Sequence, residues 1–442
     1  MPTPLREFQQ LIESKELVQA FGYVRQVLGT LIEGVVPGAS IGELCEIYHP
    51  ARRYHVILAE VIGFTADSAL LSPLSSLDGV SASFVVKPLR RVHRVSIGYG
   101  LLGRVLDGFG LPLDGKGPLV TFGAALTERQ VLTAAPPAVE RPRIAEPFVT
   151  GVRAVDTMLT IGRGQRVGIF AGPGCGKTTL MAAIGRGADI DVMVIGLIGE
   201  RGREVREFTE HELAPELLKK TVIVCATSDR TSIERVRAAF TATAIAEGFR
   251  DQGMRVLLMI DSLTRLSRAQ REIGLAAGEA PARAGFPPSV YALLPRLIER
   301  AGLTERGSIT AFYTVLLEGE LKADPISEEA VSLLDGHVLL SRKLAESGHY
   351  PAIDVLPSIS RVMSNIVTRD HGVAATRARL ILSRYRDMEL LIRLGEYKPG
   401  LDKDTDALIT AYPNIVTMLK QNTKSSVPWE ASIQQLMECT TG

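Results

Sequence analysis

Two hydrophobic periods alternate along this chain. Leu5, Phe8, Leu11, Ile12, Val18 and Phe21 recur at three- to four-residue steps among charged positions, the spacing of an amphipathic helix over residues 1–22. Such a helix either packs on its own domain or offers its apolar face to a partner. Over residues 23–95 the pattern shortens to β-like runs, 54–62 and 82–86 among them. Val36-Pro37-Gly38, Leu77-Asp78-Gly79 and Lys87-Pro88 cut these runs apart, which predicts a small barrel or sandwich. Residues 96–147 are first glycine-rich, then proline-rich from Ala134-Ala135-Pro136-Pro137 to Glu146-Pro147, and read as an extended connection. Across 148–364 apolar strands at 166–170, 192–198, 221–226, 255–260 and 308–315 alternate with helical patterns, the longest at 231–248. Those strands are almost free of charge, as expected of a parallel sheet covered on both faces. Residues 365–442 turn helical and charged, with 374–394 the longest such stretch.

One junction carries chemistry. The apolar run 167–170 breaks into Ala171-Gly172-Pro173-Gly174-Cys175-Gly176-Lys177-Thr178, followed by Thr179. A strand, a glycine-rich loop and a helix starting near Gly176 would curl backbone N–H groups into one concavity. The helix N-terminus adds positive potential, and a polyphosphate needs both. The pattern is GxxxxGK[ST] with Ala171 at its first glycine position, which only closes the turn. The binding loop is then Gly172, Pro173, Gly174, Cys175, Gly176, Lys177, Thr178 and Thr179. Lys177 would reach the β- and γ-phosphates, and the Thr178 hydroxyl would hold Mg²⁺. The apolar strand 256–260 ends in Asp261, where a P-loop fold places its second metal-organising carboxylate. Ile198-Gly199-Glu200-Arg201-Gly202-Arg203-Glu204 follows another strand. In isolation a charged turn is usually a solvated loop, but strand ends in an open α/β sheet face the ligand crevice. Glu200 is therefore the candidate for orienting and deprotonating water, with Arg201 as a neutralising charge.

Composition narrows the field. At 442 residues the chain exceeds what one core serves, so two or three domains are expected. Fifty basic against 49 acidic residues leave a net charge of +1, with no footprint for nucleic acid. Between residues 30 and 90 the basic residues are Arg52, Arg53, Lys87 and Arg90, too few for the β domain of a ring-shaped RNA translocase. Cys45, Cys175, Cys225 and Cys439 lack disulfide-framework or zinc spacing and suit a reducing cytoplasm. Glu7, Glu13 and Glu16 exclude a signal peptide. No apolar run approaches the roughly 20 residues of a membrane span. A cytoplasmic protein is expected.

Further blocks carry a family likeness: Glu146-Pro147-Phe148-Val149-Thr150-Gly151-Val152-Arg153-Ala154-Val155-Asp156, Gly285-Phe286-Pro287-Pro288-Ser289-Val290, Asp335-Gly336-His337, Gly348-His349-Tyr350-Pro351-Ala352-Ile353-Asp354 and Ser358-Ile359-Ser360-Arg361. With the P-loop they resemble the catalytic subunits of the rotary ATPase superfamily, most closely the ATPases of bacterial type III secretion systems. The likeness covers nearly the whole chain. It implies a multidomain protein with a small N-terminal β-barrel, a central α/β P-loop NTPase domain of the RecA-like, rotary ATPase kind, and a C-terminal helical domain. It implies ATP and Mg²⁺ as cofactors. The catalytic set would be Lys177, Glu200, Arg201 and Arg361, with Thr178 and Asp261 on the metal and Tyr350 stacked on the adenine. Arg361 would be an arginine finger inserted into a neighbour's site, so the active form would be a homohexamer. The loop 276–285 would touch a central stalk protein in the pore, and helix 1–22 a peripheral stator protein. Residues 365–442 would receive chaperone–effector complexes for chaperone release and unfolding. The ring would sit beneath the export apparatus, on the cytoplasmic face of the inner membrane. Gly395-Glu396-Tyr397, where an ATP synthase subunit has an acidic loop, favours the injectisome branch. The alternatives are a flagellar export ATPase and the catalytic subunit of a rotary F/V-type synthase. A catalytically dead scaffold is disfavoured because Lys177, Glu200, Asp261 and Arg361 are all present.

Overall fold

The structure is a computed structural model that describes residues 20–119, 126–319, 321, 324–397, 400 and 402–440. Six strands close into a barrel: β1 (Gly22–Leu28), β2 (Leu31–Val35), β3 (Glu43–His49), β4 (Arg52–Phe64), β5 (Ala69–Pro73) and β6 (Val85–Val92), in the order β1-β2-β5-β4-β3-β6. The period of two sets its inside. Ile57, Ala59 and Val61 are buried while Val56 and Leu58 are exposed, and closure leaves no unpaired edge. The run expected as a strand at 82–86 pairs only from Val85, because a turn in which Phe84 N donates to Ser81 O leads into it. The helix expected over 1–22 lies outside the described residues up to 19, and Gly22 already opens β1.

The second unit is built on a nine-stranded sheet. Its strands are β7 (Val105–Leu106), β8 (Arg166–Ala171), β9 (Val192–Ile198), β10 (Thr221–Ala226), β11 (Arg255–Asp261), β12 (Ser308–Leu316), β13 (Gly336–Leu340) and β14 (Ile353–Ser360). They lie in the order β14-β13-β8-β12-β11-β9-β10-β7, with the short strand Gly302–Leu303 antiparallel on β12. From β13 to β7 all pairings along this order are parallel, and β14 alone runs antiparallel to β13. Every residue of β9 and β10 is buried, which accounts for their uninterrupted apolar sequence. The helices between them include α1 (Lys177–Gly187), α2 (Gly202–Glu207), α3 (Ser232–Arg250) and α4 (Leu263–Ala276). Because β8, β9 and β11 are parallel, the loops that follow them emerge at one edge of the sheet.

Residues 96–147 are more than a connection. Within them β7 pairs with β10, Val105 opposite Ile223, and Arg104 clamps Asp114 through two bonds of 2.7 and 2.9 Å. Farther along, Arg300 is fully buried and binds Glu247 of α3 through Nε at 2.9 Å and Nη2 at 2.7 Å, while its Nη1 donates to Val131 O.

The reversal of β14 has a positional consequence. Leu340 pairs with Ile353 and Gly336 with Ser360, so the chain leaves β14 at the edge where β8 begins. There Arg361 N donates to Asp335 O at 2.9 Å, and Arg166 N, at the start of β8, donates to the Asp335 carboxylate at 3.1 Å.

Three helices follow: α5 (Arg369–Arg393), α6 (Lys403–Leu419) and α7 (Trp429–Thr440). Ala374, Ala378, Ile381 and Leu382 mark one face of α5 at helical spacing, and they join Ile415, Met418 and Leu436 in a core continuous with that of the sheet.

Candidate active site

At the edge where β8 ends, loop 172–176 leads into α1, whose first residue is Lys177. Gly174 and Gly176 have φ of +77° and +84°, a left-handed backbone that costs any residue with a Cβ about 1–2 kcal/mol. Ala171, at the first glycine position of the pattern, is the buried last residue of β8, paired to Leu316 and Leu340. A Cβ is accommodated there because the chain is still a strand.

The Lys177 ammonium is ion-paired with Asp261 and stands 3.7 Å from Glu200 Oε1. Asp261, closing β11, also accepts the Thr314 hydroxyl from β12 at 2.6 Å. The ends of β8, β11 and β9, with β12 between the first two, thus bring Lys177, Asp261 and Glu200 together, each nearly buried. Glu200 Oε2 lies 3.1 Å from Arg265 Nη2. Its Oε1 is buried and accepts no hydrogen bond among the described residues. Burial, then the neighbouring Glu204 carboxyl, then the Asp261 charge push the Glu200 pKa up to about 7, against the pull of Lys177 and Arg265. Glu204 moves the other way, chiefly through its bond to Glu200.

Arg201, expected as the charge neutralising Glu200, is instead the exposed N-cap residue of α2 and acts through space on Glu204. Arg265, in the first turn of α4, occupies that place. Arg265, Glu204 and Thr314 were not singled out from the sequence. The available signals were a cation four residues after Asp261, a carboxylate one helical turn after Glu200, and a buried hydroxyl in an apolar strand.

Tyr350, in the loop before β14, stands against the phosphate loop: a Cβ on Gly176 would lie 3.7 Å from Tyr350 Cε1. A cavity of about 370 Å³ opens beside it, lined by Gly174, Cys175, Thr179, Leu180, Leu340 and Tyr350, a size suited to a nucleoside. Arg361 is not part of this cluster. It is exposed, donates through Nη2 to Val331 O at 3.1 Å, and sits at the opposite edge of the sheet. Among the described residues no group of three or more His, Cys, Asp and Glu could hold a metal ion unaided. The Thr178 hydroxyl and the Asp261 carboxylate are hard oxygen donors that suit Mg²⁺, which keeps waters and phosphates in its shell.

A glycine loop at a helix N-terminus, with a lysine and two carboxylates on the C-terminal edge of a parallel sheet, defines a P-loop nucleotide-binding protein. Residues 151–360 match the ATP synthase alpha/beta family nucleotide-binding domain, 24–90 that family's beta-barrel domain, and 367–438 the T3SS EscN ATPase C-terminal domain. The type 3 secretion system ATPase of Pseudomonas syringae pv. tomato is 52% identical over 96% of this chain and 94% of its own. The flagellum-specific ATP synthase of Bacillus subtilis is 47% identical over 97% of each chain. The assembled ATPase EscN of enteropathogenic E. coli superposes with a TM-score of 0.89 at 44% identity, covering 95% of this chain and all of the solved EscN chain; in its complex with the central stalk EscO the TM-score is 0.86. The chain belongs to the type 3 secretion system ATPase family, within the wider ATP synthase alpha/beta family.

Proposed function

We propose that this protein is a Mg²⁺-dependent ATPase that works as a homohexamer and energises type III protein secretion. The observation that carries the reading is the convergence of Lys177, Glu200 and Asp261 beside the phosphate loop. Lys177 binds the β- and γ-phosphates, and Tyr350 stacks on the base. Thr178 and Asp261 would hold Mg²⁺, which would offset phosphate charge when bound. Glu200 Oε1, buried and without a hydrogen-bond donor among the described residues, takes a proton from the attacking water. Its raised pKa makes it a base matched to neutral pH. Arg265 fixes its orientation. Arg361 of a neighbouring copy stabilises charge on the transferring phosphoryl group.

Glu200→Gln should abolish phosphate release while leaving ATP binding within a few-fold. Lys177→Ala should weaken both. Full turnover by Glu200→Gln would remove Glu200 from the mechanism.

The task energised is the release of chaperones from export substrates and the unfolding of those substrates. Residues 365–442 would receive the chaperone–effector complexes, a role that suits the exposed Val373, Leu380, Leu390 and Leu391 of α5 and Leu394 just after it. The loop 276–285 would meet a central stalk protein, a partner of the kind that EscO is to EscN, and residues 1–22 a peripheral stator. Among the described residues no helix is long and apolar enough to cross a membrane, and the ring would dock from the cytoplasm onto the export apparatus. The match of 367–438 to the EscN C-terminal domain supports the injectisome branch over the flagellar one.

A further inference from the structure

The cavity beside Tyr350 is not walled by the nucleotide domain alone. Gln421, Asn422 and Thr423, in the turn between α6 and α7, line it as well. Gln421 spends its polar groups on fastening that turn. Its backbone N donates to Tyr350 O at 2.9 Å, and its Oε1 accepts Arg153 N at 2.8 Å. Its Nε2 donates to Gly151 O and Ser425 O, both at 2.8 Å. Val427 N donates to the same Gly151 carbonyl at 3.1 Å, and Arg186, in the last turn of α1, donates to Thr423 O at 2.9 Å.

The join is close. Gly151 has φ of +68°, and a Cβ there would fall 2.2 Å from Ser426 Oγ and 2.9 Å from Gly187 Cα. The turn is therefore tied to the loop preceding the phosphate-binding strand, to the far end of α1, and to the segment carrying Tyr350. An amide side chain fits because it supplies two donors for carbonyls and one acceptor for an N–H. Glutamate of equal size keeps the acceptor and loses both donors.

We propose that Gln421 is the positioning residue of the base pocket. Through it the C-terminal helices hold the Tyr350 segment and the Asn422–Thr423 wall at the spacing that grips a purine. This rests on the reading that the cavity receives the base of ATP, and it goes further by making that grip a property of the helical domain. A partner that displaces α6 or α7 would then alter base affinity without touching the phosphate loop. Gln421 contacts no reacting atom, so its effect falls on KM and base selectivity and not on kcat.

The test is steady-state hydrolysis of ATP and of UTP by the full chain, as wild type, Gln421→Ala and Gln421→Glu, with thermal unfolding of each. Both variants should raise the KM for ATP about tenfold, because Gln421→Glu loses the two bonds donated by Nε2 and Gln421→Ala loses those and the one accepted by Oε1. They should keep kcat within twofold and shrink the preference for ATP over UTP, whose smaller base leans less on the wall. Gln421→Glu has the volume of the native residue, so a selectivity loss in that variant at unchanged Tm is not a folding defect. Unchanged KM and selectivity in both variants would overturn the proposal. So would a kcat loss of equal size for ATP and UTP at constant KM. A wild type that hydrolyses ATP and UTP alike would defeat the base-pocket reading itself, and one that hydrolyses neither would defeat the ATPase assignment.

Discussion

Chains carrying Lys177→Ala and chains carrying Arg361→Ala should each be inactive alone and regain activity when mixed. The geometry behind this is the separation of the two residues within one chain. Arg361 is bonded to Asp335, level with Arg166 at the start of β8, whereas Lys177 lies beyond Ala171 at its end. Five strand steps amount to about 17 Å, more than an arginine side chain spans, so the guanidinium cannot complete its own site. Removing such an arginine costs roughly 10³-fold or more in kcat. In a ring with head-to-tail interfaces, one site combines Lys177 of one chain with Arg361 of the next. An equimolar random ring therefore contains about one intact site in four, and about a quarter of wild-type turnover should return if sites fire independently. Phosphate release measured across mixing ratios should follow the product of the two chain fractions and peak at equal amounts. Activity that stays at the level of the single variants at every ratio, in samples where mixed rings are demonstrated by native mass measurement, would mean that each site is completed within one chain. Full activity of Arg361→Ala alone would remove it from the chemistry.

Two further outcomes follow from charges placed in the core. With the Glu200 pKa pushed up to about 7, the base form is lost below neutrality, so kcat/KM should fall about tenfold per pH unit under that point. Glu204→Gln removes the carboxyl whose hydrogen bond helps to raise the Glu200 pKa and should move the profile to lower pH; an unmoved profile would exclude Glu204 as the cause. Glu247→Gln strands the Arg300 guanidinium, both side chains being at most 1% exposed, and should cost about 3–5 kcal/mol in urea unfolding. Replacing both partners by Leu and Met should cost less than that single change, and a near-neutral Glu247→Gln would mean that water reaches the pair.

The fold was most legible where burial leaves no choice of residue. Strands covered on both faces tolerate only apolar side chains, so 192–198 and 221–226 appear in the sequence with the limits seen in β9 and β10. β7 escaped notice because two residues carry no period, although they extend the sheet. β14 escaped because it contains Pro357 and two serines. As an edge strand it can carry a proline that a central strand could not. In the candidate site, Lys177, Glu200 and Asp261 were readable because each follows an apolar run, and parallel strands deliver their ends to one edge. Which cation faces Glu200 was not readable. Arg201 is next in sequence, but the start of α2 leaves it exposed, while Arg265 arrives from a helix that begins two residues after Asp261.

The reversal of β14 also explains why such a protein would be an assembly before it is an enzyme. Had β14 run parallel to β13, its C-terminal residue would emerge beside the phosphate loop, and Arg361 would sit with Lys177 in a self-sufficient site. Running antiparallel, it delivers Arg361 to the opposite edge, where Asp335 and Val331 carbonyls anchor it and the side chain stays exposed. A cation at that position is out of reach of its own phosphate loop and exposed to a neighbouring molecule. The same strand is preceded by Tyr350, which remains at the phosphate edge. If Tyr350 and Arg361 act as proposed, one strand is flanked by a residue for its own nucleotide before its first residue and by one for a neighbour's after its last. Movement of β14 during turnover would report the state of one site to the next through a rigid element of eight residues.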